Sequence, residues 1–152
     1  MKCISALLIV LAVWLLPYGG QAAKVAYDDM AGVVYLGNHD GDTFRVTIPG
    51  VPPLFGENIS IRIRGVDTPE LRGQCAQEKL LARVAKRELH HLLVRAGEIT
   101  LKEVGRDKYF RIVARVEADG EDVGARLLRM GLATPYDGGH KQVPWCQASV
   151  DE

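Results

Sequence analysis

The chain contains one long amphipathic segment, residues 75–96, and several shorter segments that alternate like β-strands. Its apolar residues recur at the spacing of one helix face, and Gly97 follows where a helix C-terminal cap is expected. These apolar residues are Leu81, Val84, Ala85, Leu89, Leu92 and Leu93. The pattern predicts a single long helix inside a mainly β chain.

Alternation of apolar and polar residues predicts five strands around this helix. "AGVVYLGNHDGDTFRVTI" predicts two strands joined by a turn rich in Gly and Asp. A hairpin turn follows the last strand at Asp119-Gly120, and a short helix ends at Gly131. The remaining segments are a loop rich in Pro and Gly at 48–58, strands at 59–64, 98–104 and 109–118, and the short helix at 123–131. This order predicts an α+β fold, a five-stranded OB-type barrel with the long helix between strands 3 and 4 and a short C-terminal helix.

The first 23 residues have the pattern of a cleaved secretory signal. Lys2 precedes an apolar run from Ile4 to Leu16, and small residues follow at Ala22 and Ala23, either of which fits as the last residue before the cut. The run is too short to cross a bilayer core of ~30 Å comfortably at about 1.5 Å per residue. An uncleaved anchor is the alternative. We therefore expect an exported protein, periplasmic or secreted, with one domain over residues 24–152, no membrane attachment after cleavage and a monomeric state.

Charge and cysteine content follow from that cut. The chain has 19 basic and 19 acidic residues, and losing Lys2 leaves a mature net charge of about −1. Cys3 leaves with the signal, so Cys75 and Cys146 remain, and an oxidising compartment favours a disulfide between them. Two separate buried thiols are the alternative. Neither cysteine has a second Cys or a His two to four residues away, so the spacing does not indicate a thiolate metal site.

Short motifs bring together the groups that phosphodiester chemistry needs. Asp42 in "DGDT" and Asp67 in "RGVDTPE" offer hard carboxylate oxygens, which suit Ca²⁺ or Mg²⁺. Arg62 and Arg111 offer planar guanidinium groups that bind phosphate oxygens in pairs. Glu70, three residues after Asp67, is a candidate base for a water molecule. A cation, two arginines and a base together predict in-line attack on a phosphodiester.

In order and spacing these motifs resemble the thermonucleases, or staphylococcal nuclease-like nucleases. The resemblance runs from Val33 to Tyr136 and rests on "DGDT", "RGVDTPE", "DKYFR", the "ADG" turn and "RLLRMGLA". It implies an OB-fold, Ca²⁺ as cofactor, and cleavage of DNA and RNA substrates to products with 3′-phosphate ends. It also leads us to expect a secreted bacterial member of the family.

The resemblance assigns a role to each site residue. The implied metal ligands are Asp42, Asp67 and the backbone carbonyl of Thr68. The implied catalytic residues are Arg62, Glu70 and Arg111. The implied substrate-binding residues are Lys108, Tyr109 and Tyr136.

The chain also departs from the family pattern. The loop after Glu70 is short, Phe110 stands where a glycine is usual, and a Gly-rich tail replaces a C-terminal helix. The near-neutral mature charge predicts weaker and more salt-sensitive capture of nucleic acid. Because the same barrel can also serve for binding alone, one alternative is a catalytically weak OB-fold module that binds nucleic acid or protein. A nuclease with a histidine-based site is another, although His39, in "NHDGD", has no partner motif.

Overall fold

The computed structural model describes residues 27–107, 109–139, 141, 145 and 146. The predicted signal at 1–23 and the predicted substrate residue Lys108 lie outside the described residues. The strands are β1 Val34–Asn38, β2 Thr43–Thr47, β3 Ile59–Ile63, β4 Val66–Asp67, β5 Ile99–Arg106, β6 Ile112–Ala118, β7 Glu121–Asp122 and β8 Thr134–Pro135. The helices are α1 Pro53–Gly56, α2 Ala76–Arg95 and α3 Val123–Arg129.

The five long strands form one curled sheet in the order β1-β2-β3-β6-β5, with β7 paired to β6. Only β3 and β6 run parallel among these pairs, and the rest are antiparallel. The register shifts between Lys102 and Gly105 in β5, where Glu103 has a φ of 50°, and again between Tyr35 and Gly37 in β1. Such bulges increase the local twist and bend the strand. The sheet therefore curls into a half-barrel.

The core lies between the concave sheet and α2. Phe44, Ile61 and Leu101 are fully buried on the strands, and Leu89 of α2 is fully buried against them. Burying each such side chain stabilises the fold by roughly 1.5–3 kcal/mol. The α+β fold is confirmed, with five long strands, the long helix and the short C-terminal helix. The structure adds the two-residue strand β4, so that α2 follows β4 directly.

Two segments differ from the sequence-based expectation. The predicted loop 48–58 contains one helical turn, α1. The strand predicted from Tyr109 begins only at Ile112. The Asp107 carboxylate accepts hydrogen bonds from the backbone N–H groups of Tyr109 and Arg111, at 2.8 and 3.0 Å. Because a side chain takes these donors, the segment forms a turn instead of entering the sheet ladder. None of the described helices has the length and apolar character needed to span a membrane.

A disulfide joins Cys75 to Cys146, as the sequence predicts, with 71 residues of sequence separation and a Cα–Cα distance of 5.9 Å. Cys75 is also the N-cap of α2, where its Sγ accepts a hydrogen bond from the backbone N–H of Glu78 at 3.4 Å. Trp145, beside the bridge, is buried. Residues 145 and 146 are thereby held against the start of α2.

Candidate active site

Asp42 is positioned by a tight turn between β1 and β2. The carboxylate of Asp40 accepts hydrogen bonds from the backbone N–H groups of Asp42 and Thr43, at 3.1 and 2.8 Å. Burial, followed by the negative charge of Asp42, raises the pKa of Asp40. Gly41 lets the turn approach α2 closely, since a Cβ there would lie 2.7 Å from the Cβ of Ala85. The "DGDT" motif thus holds the Asp42 carboxylate in a buried position.

Asp42 is linked directly to the segment that carries Asp67. Its Oδ2 accepts hydrogen bonds from both the backbone N–H and the Oγ1 hydroxyl of Thr68, at 2.9 and 3.0 Å. Its Oδ1 accepts a hydrogen bond from the Thr43 hydroxyl at 3.0 Å. Asp67 itself lies in β4 and is 4 % exposed. Asp42 and Thr68, 26 positions apart in sequence, are thus hydrogen-bonded, and the buried Asp42 and Asp67 carboxylates belong to one cluster.

Arg62 bridges the two carboxylates. Its Nη2 lies 3.2 Å from Asp42 Oδ2 and 3.1 Å from Asp67 Oδ1, and its Nη1 donates to the carbonyl of Ile63 at 2.8 Å. The guanidinium also lies 5.9 Å from the centroid of the Tyr136 ring, at cation–π distance. Arg62 is only 8 % exposed, so its orientation is fixed by these contacts.

Arg62 also lines an open cleft of about 960 Å³. Three further arginines line it, together with Tyr109 and Tyr136. These arginines are Arg64, Arg106 and Arg111. Although the chain has a formal net charge of zero, this one surface concentrates arginines and aromatic rings. Such a surface is suited to a phosphate backbone and its bases.

Arg111 is held at the cleft by the 107–111 turn. Its Nε donates to Asp107 Oδ2 at 2.8 Å, and its guanidinium lies 5.6 Å from the centroid of the Tyr109 ring. Burial alone raises the pKa of Asp107, but hydrogen bonds from Arg111 and from the Tyr109 and Arg111 backbone lower it below its ordinary value. Asp107 therefore stays ionised and fixes the direction of the Arg111 fork.

Glu70 lies on an exposed loop whose backbone is hydrogen-bonded to the buried side chain of Glu78. The side chain of Glu70 is 59 % exposed. Glu78 of α2, 2 % exposed, accepts hydrogen bonds from the backbone N–H groups of Glu70 and Gln74, at 3.3 and 2.7 Å. Gly73 packs directly on the Glu78 carboxylate, where a Cβ would collide with it. The short loop after Glu70 is therefore shaped around one buried carboxylate.

Lys141 of the tail reaches this cluster. Its Nζ lies 3.0 Å from Asp67 Oδ1 and 2.6 Å from Glu70 Oε1. Partial burial by itself lowers the pKa of Lys141, but hydrogen bonds to Glu70 and Asp67 raise the pKa to about 12. For Asp67, burial raises the pKa against the lowering effect of Lys141 and Arg62. Lys141 is thus a charged ammonium within the candidate site.

The sequence of the chain is similar to a known protein family over more than half of its length. Residues 60–145, which run from β3 through the tail, match the staphylococcal nuclease homologues. The chain belongs to this family. This range includes Arg62, Asp67, Glu70 and Arg111.

Fungal proteins are among the relatives of this staphylococcal nuclease homologue. It is 34 % identical over 92 residues to a probable endonuclease of Schizosaccharomyces pombe, covering 56 % of this chain and 40 % of that protein. It is 37 % identical over 93 residues to the probable endonuclease LCL3 of Verticillium alfalfae, covering 55 % and 30 %. The chain thus spans less than half the length of these relatives. Because they are fungal, they support the family and not the narrower expectation of a secreted bacterial member.

The donor set of this homologue fits a hard divalent cation. Asp42 and Asp67 each present a carboxylate oxygen to the same nitrogen of Arg62, so the two oxygens lie close together. The backbone N–H of Thr68 donates a hydrogen bond to Asp42, so the backbone of Thr68 lies beside these carboxylates. Oxygen ligands of this kind suit Ca²⁺ better than softer metals.

The histidine-based alternative has no support in the described part of the chain. His90 of α2 contacts the Tyr35 hydroxyl at 2.9 Å through Nδ1, and its ring packs 6.1 Å from that of His91. No described histidine belongs to a cluster of three metal-ligating side chains. The cluster found, Cys75, Glu78 and Cys146, contains the disulfide.

The structure sorts the predicted site residues into two groups. In the first group, Arg62 contacts both Asp42 and Asp67, and Asp42 also contacts Thr68. Glu70 joins them through the ammonium of Lys141. Arg111, Tyr109 and Tyr136 line the adjoining cleft. The sequence did not predict the roles of Glu78 and Lys141. Gly73 and Cys75, near the end of the loop, were the signals in the sequence that could have indicated a tight turn at the start of α2.

Proposed function

We propose that this chain is a calcium-dependent endonuclease that hydrolyses phosphodiester bonds in DNA and RNA and leaves 3′-phosphate ends. The observation that carries the proposal is the double contact of Arg62 with Asp42 and Asp67 at the edge of an arginine-lined cleft. The fungal relatives that are described as probable endonucleases support the same reaction class.

In this proposal the two arginines stabilise the charge that builds on the phosphoryl oxygens. Arg62 is preorganised by its carboxylate contacts, and Arg111 by Asp107. Because both guanidinium groups are already oriented, little reorganisation is needed as negative charge develops in the transition state. A cation held by Asp42, Asp67 and the Thr68 carbonyl would supply further charge neutralisation.

Glu70 is the proposed base. Its exposed carboxylate is accessible to water, and the loop that carries it is held by Glu78. A carboxylate in this position accepts a proton from a water that attacks phosphorus opposite the leaving oxygen. Glu78 holds the backbone of Glu70, and Lys141 contacts both Glu70 and Asp67, so the proposed base lies near the proposed metal ligand.

The tyrosines are proposed to hold the substrate beside the scissile phosphate. Tyr109 and Tyr136 each stack near a guanidinium and line the cleft. Aromatic rings beside cations are a sequence-tolerant surface for unpaired bases. Lys108 is proposed to contact a terminal phosphate on the strength of the resemblance alone.

We also propose that the chain is exported, to the periplasm or outside the cell, as a monomer whose mature domain covers residues 24–152. The N-terminal pattern and the Cys75–Cys146 bridge support export, since disulfides persist in oxidising compartments. No membrane contact is proposed after the signal is removed.

A module that binds nucleic acid without cleaving it is the second candidate. The ion pairs of Lys141 with Glu70 and Asp67, at 2.6 and 3.0 Å, favour it, because a protein cation then contacts both the proposed base and a proposed metal ligand.

One assay separates the two candidates. Labelled single- and double-stranded DNA and RNA are incubated with the mature protein and Ca²⁺, Mg²⁺ or EDTA, and product ends are identified by their shift after phosphatase treatment. We expect cleavage with Ca²⁺, poor cleavage with Mg²⁺ because it demands tighter octahedral geometry, and 3′-phosphate products. Cleavage that persists after exhaustive chelation contradicts the calcium requirement. Binding without cleavage under every condition supports the module.

A further inference from the structure

Lys141 makes two short ion pairs with residues of the proposed site. Its ammonium lies 3.0 Å from Asp67 Oδ1 and 2.6 Å from Glu70 Oε1. The same Asp67 oxygen accepts from Arg62 at 3.1 Å. A single oxygen of the proposed metal ligand therefore has two protein cations in contact with it.

This position conflicts with cation binding at Asp67. A calcium ion lies about 2.3–2.6 Å from each oxygen ligand. An ammonium within 3.0 Å of Asp67 Oδ1 approaches the same side chain and repels a divalent charge nearby. For a calcium ion to use this oxygen, Lys141 has to withdraw or share the carboxylate.

The segment that carries Lys141 is anchored near the Asp67 and Glu70 carboxylates both before and after this residue in the sequence. Before it, β8 pairs with β4, with Thr134 opposite Asp67, and the N–H of Tyr136 donates to the Gly65 carbonyl at 2.9 Å. After it, Cys146 is bonded to Cys75. A short segment anchored at both ends keeps its charged group at a high effective concentration near its partner.

We propose that Lys141 is a tethered cation that competes with the divalent ion for Asp67, so that the tail sets the calcium affinity of the site. This inference rests on the proposed calcium site and adds a residue that tunes it. Lys141 is a positioning residue here, because it also orients Glu70 through their ion pair.

The test is calcium binding by the full mature chain, measured by isothermal titration calorimetry without nucleic acid. Lys141→Met removes the charge and keeps the length of the side chain. Lys102→Met is the matched control, since Lys102 also forms an ion pair, 2.8 Å from Glu117, and its loss changes the net charge equally. Melting curves without calcium verify that each variant is folded.

We expect Lys141→Met to lower the calcium Kd by roughly three- to thirtyfold. In wild type, calcium binding has to displace one or two partly exposed ion pairs of Lys141 and overcome repulsion by its ammonium, and the variant has neither cost. Lys102→Met should stay within about twofold of wild type. Lys141→Arg, which keeps the charge, should bind calcium more weakly than Lys141→Met.

A Kd for Lys141→Met equal to or weaker than that of wild type overturns the inference, as does the absence of calcium binding in both proteins. Equal tightening in Lys102→Met overturns it too, because net charge alone would then explain the effect. Failure to cleave nucleic acid by every variant contradicts the proposed function and leaves this affinity comparison intact.

Discussion

Removing the disulfide should cost the folded protein about 4 kcal/mol. The bridge closes 71 residues of chain, and in the chain-entropy model a loop of that length restricts the unfolded state by about 4 kcal/mol at 25 °C. Cys146→Ala is the right perturbation, because Cys75 also caps α2 through the N–H of Glu78 and should be kept. For a domain of this size the loss corresponds to a fall in Tm of roughly 12–18 °C.

Urea unfolding of four samples measures this loss. Wild type and Cys146→Ala are each unfolded with and without reductant. Wild type should lose stability on reduction to the level of the variant, and the variant should be insensitive to reductant. A difference below about 1 kcal/mol between oxidised wild type and the variant would refute the chain-entropy reasoning. Two alkylatable thiols in unreduced mature protein would refute the bridge itself.

Three further substitutions test the supports of the site. Glu78→Gln should lower the free energy of unfolding in urea by roughly 1–3 kcal/mol. The carboxylate accepts one backbone hydrogen bond on each oxygen, from Glu70 and from Gln74, whereas the amide has only one oxygen to accept them. Asp107→Asn should be less stable than wild type at neutral pH, because folding lowers the pKa of Asp107 and so stabilises the ionised carboxylate. Unfolding free energies measured across pH should show this difference between wild type and variant in full above the ordinary pKa of 3.8. The difference should disappear as the pH falls through the lower pKa of the folded state. Arg62→Lys should lower kcat/KM at least about tenfold in an oligonucleotide cleavage assay, since an ammonium does not reproduce the guanidinium fork.

The sequence predicts the long elements because their signals are local and strong. The helical spacing of Leu89 and its neighbours and the alternation in "IRIR" each extend over several residues, which is enough to predict the elements themselves. The alternation does not predict which side chains are buried, because Arg62 is 8 % exposed between the buried Ile61 and Ile63. The short elements β4 and β8 escape prediction. They exist only because residues 66–67 and 134–135 meet in space, and two residues carry no detectable period.

The candidate site also has residues that the sequence predicts and residues that it does not. Asp42, Asp67 and Arg62 belong to recognisable motifs, and the structure brings them into contact. Glu78 reads in sequence as an ordinary acid in the first turn of a helix, and only the folding back of the loop buries it. Lys141 lies 71 residues beyond Glu70, and no local pattern specifies their contact.

The most direct measurement of the central claim is the kcat of Glu70→Gln on a labelled oligonucleotide at saturating Ca²⁺. The matched control is Glu57→Gln, a change of the same kind at an exposed residue that follows α1. Glu70→Gln should lower kcat by roughly 10²–10⁴, the usual contribution of a general base. Glu57→Gln should remain within about twofold of wild type. Turnover by Glu70→Gln at the wild-type rate would contradict the assignment of phosphodiester hydrolysis to this carboxylate.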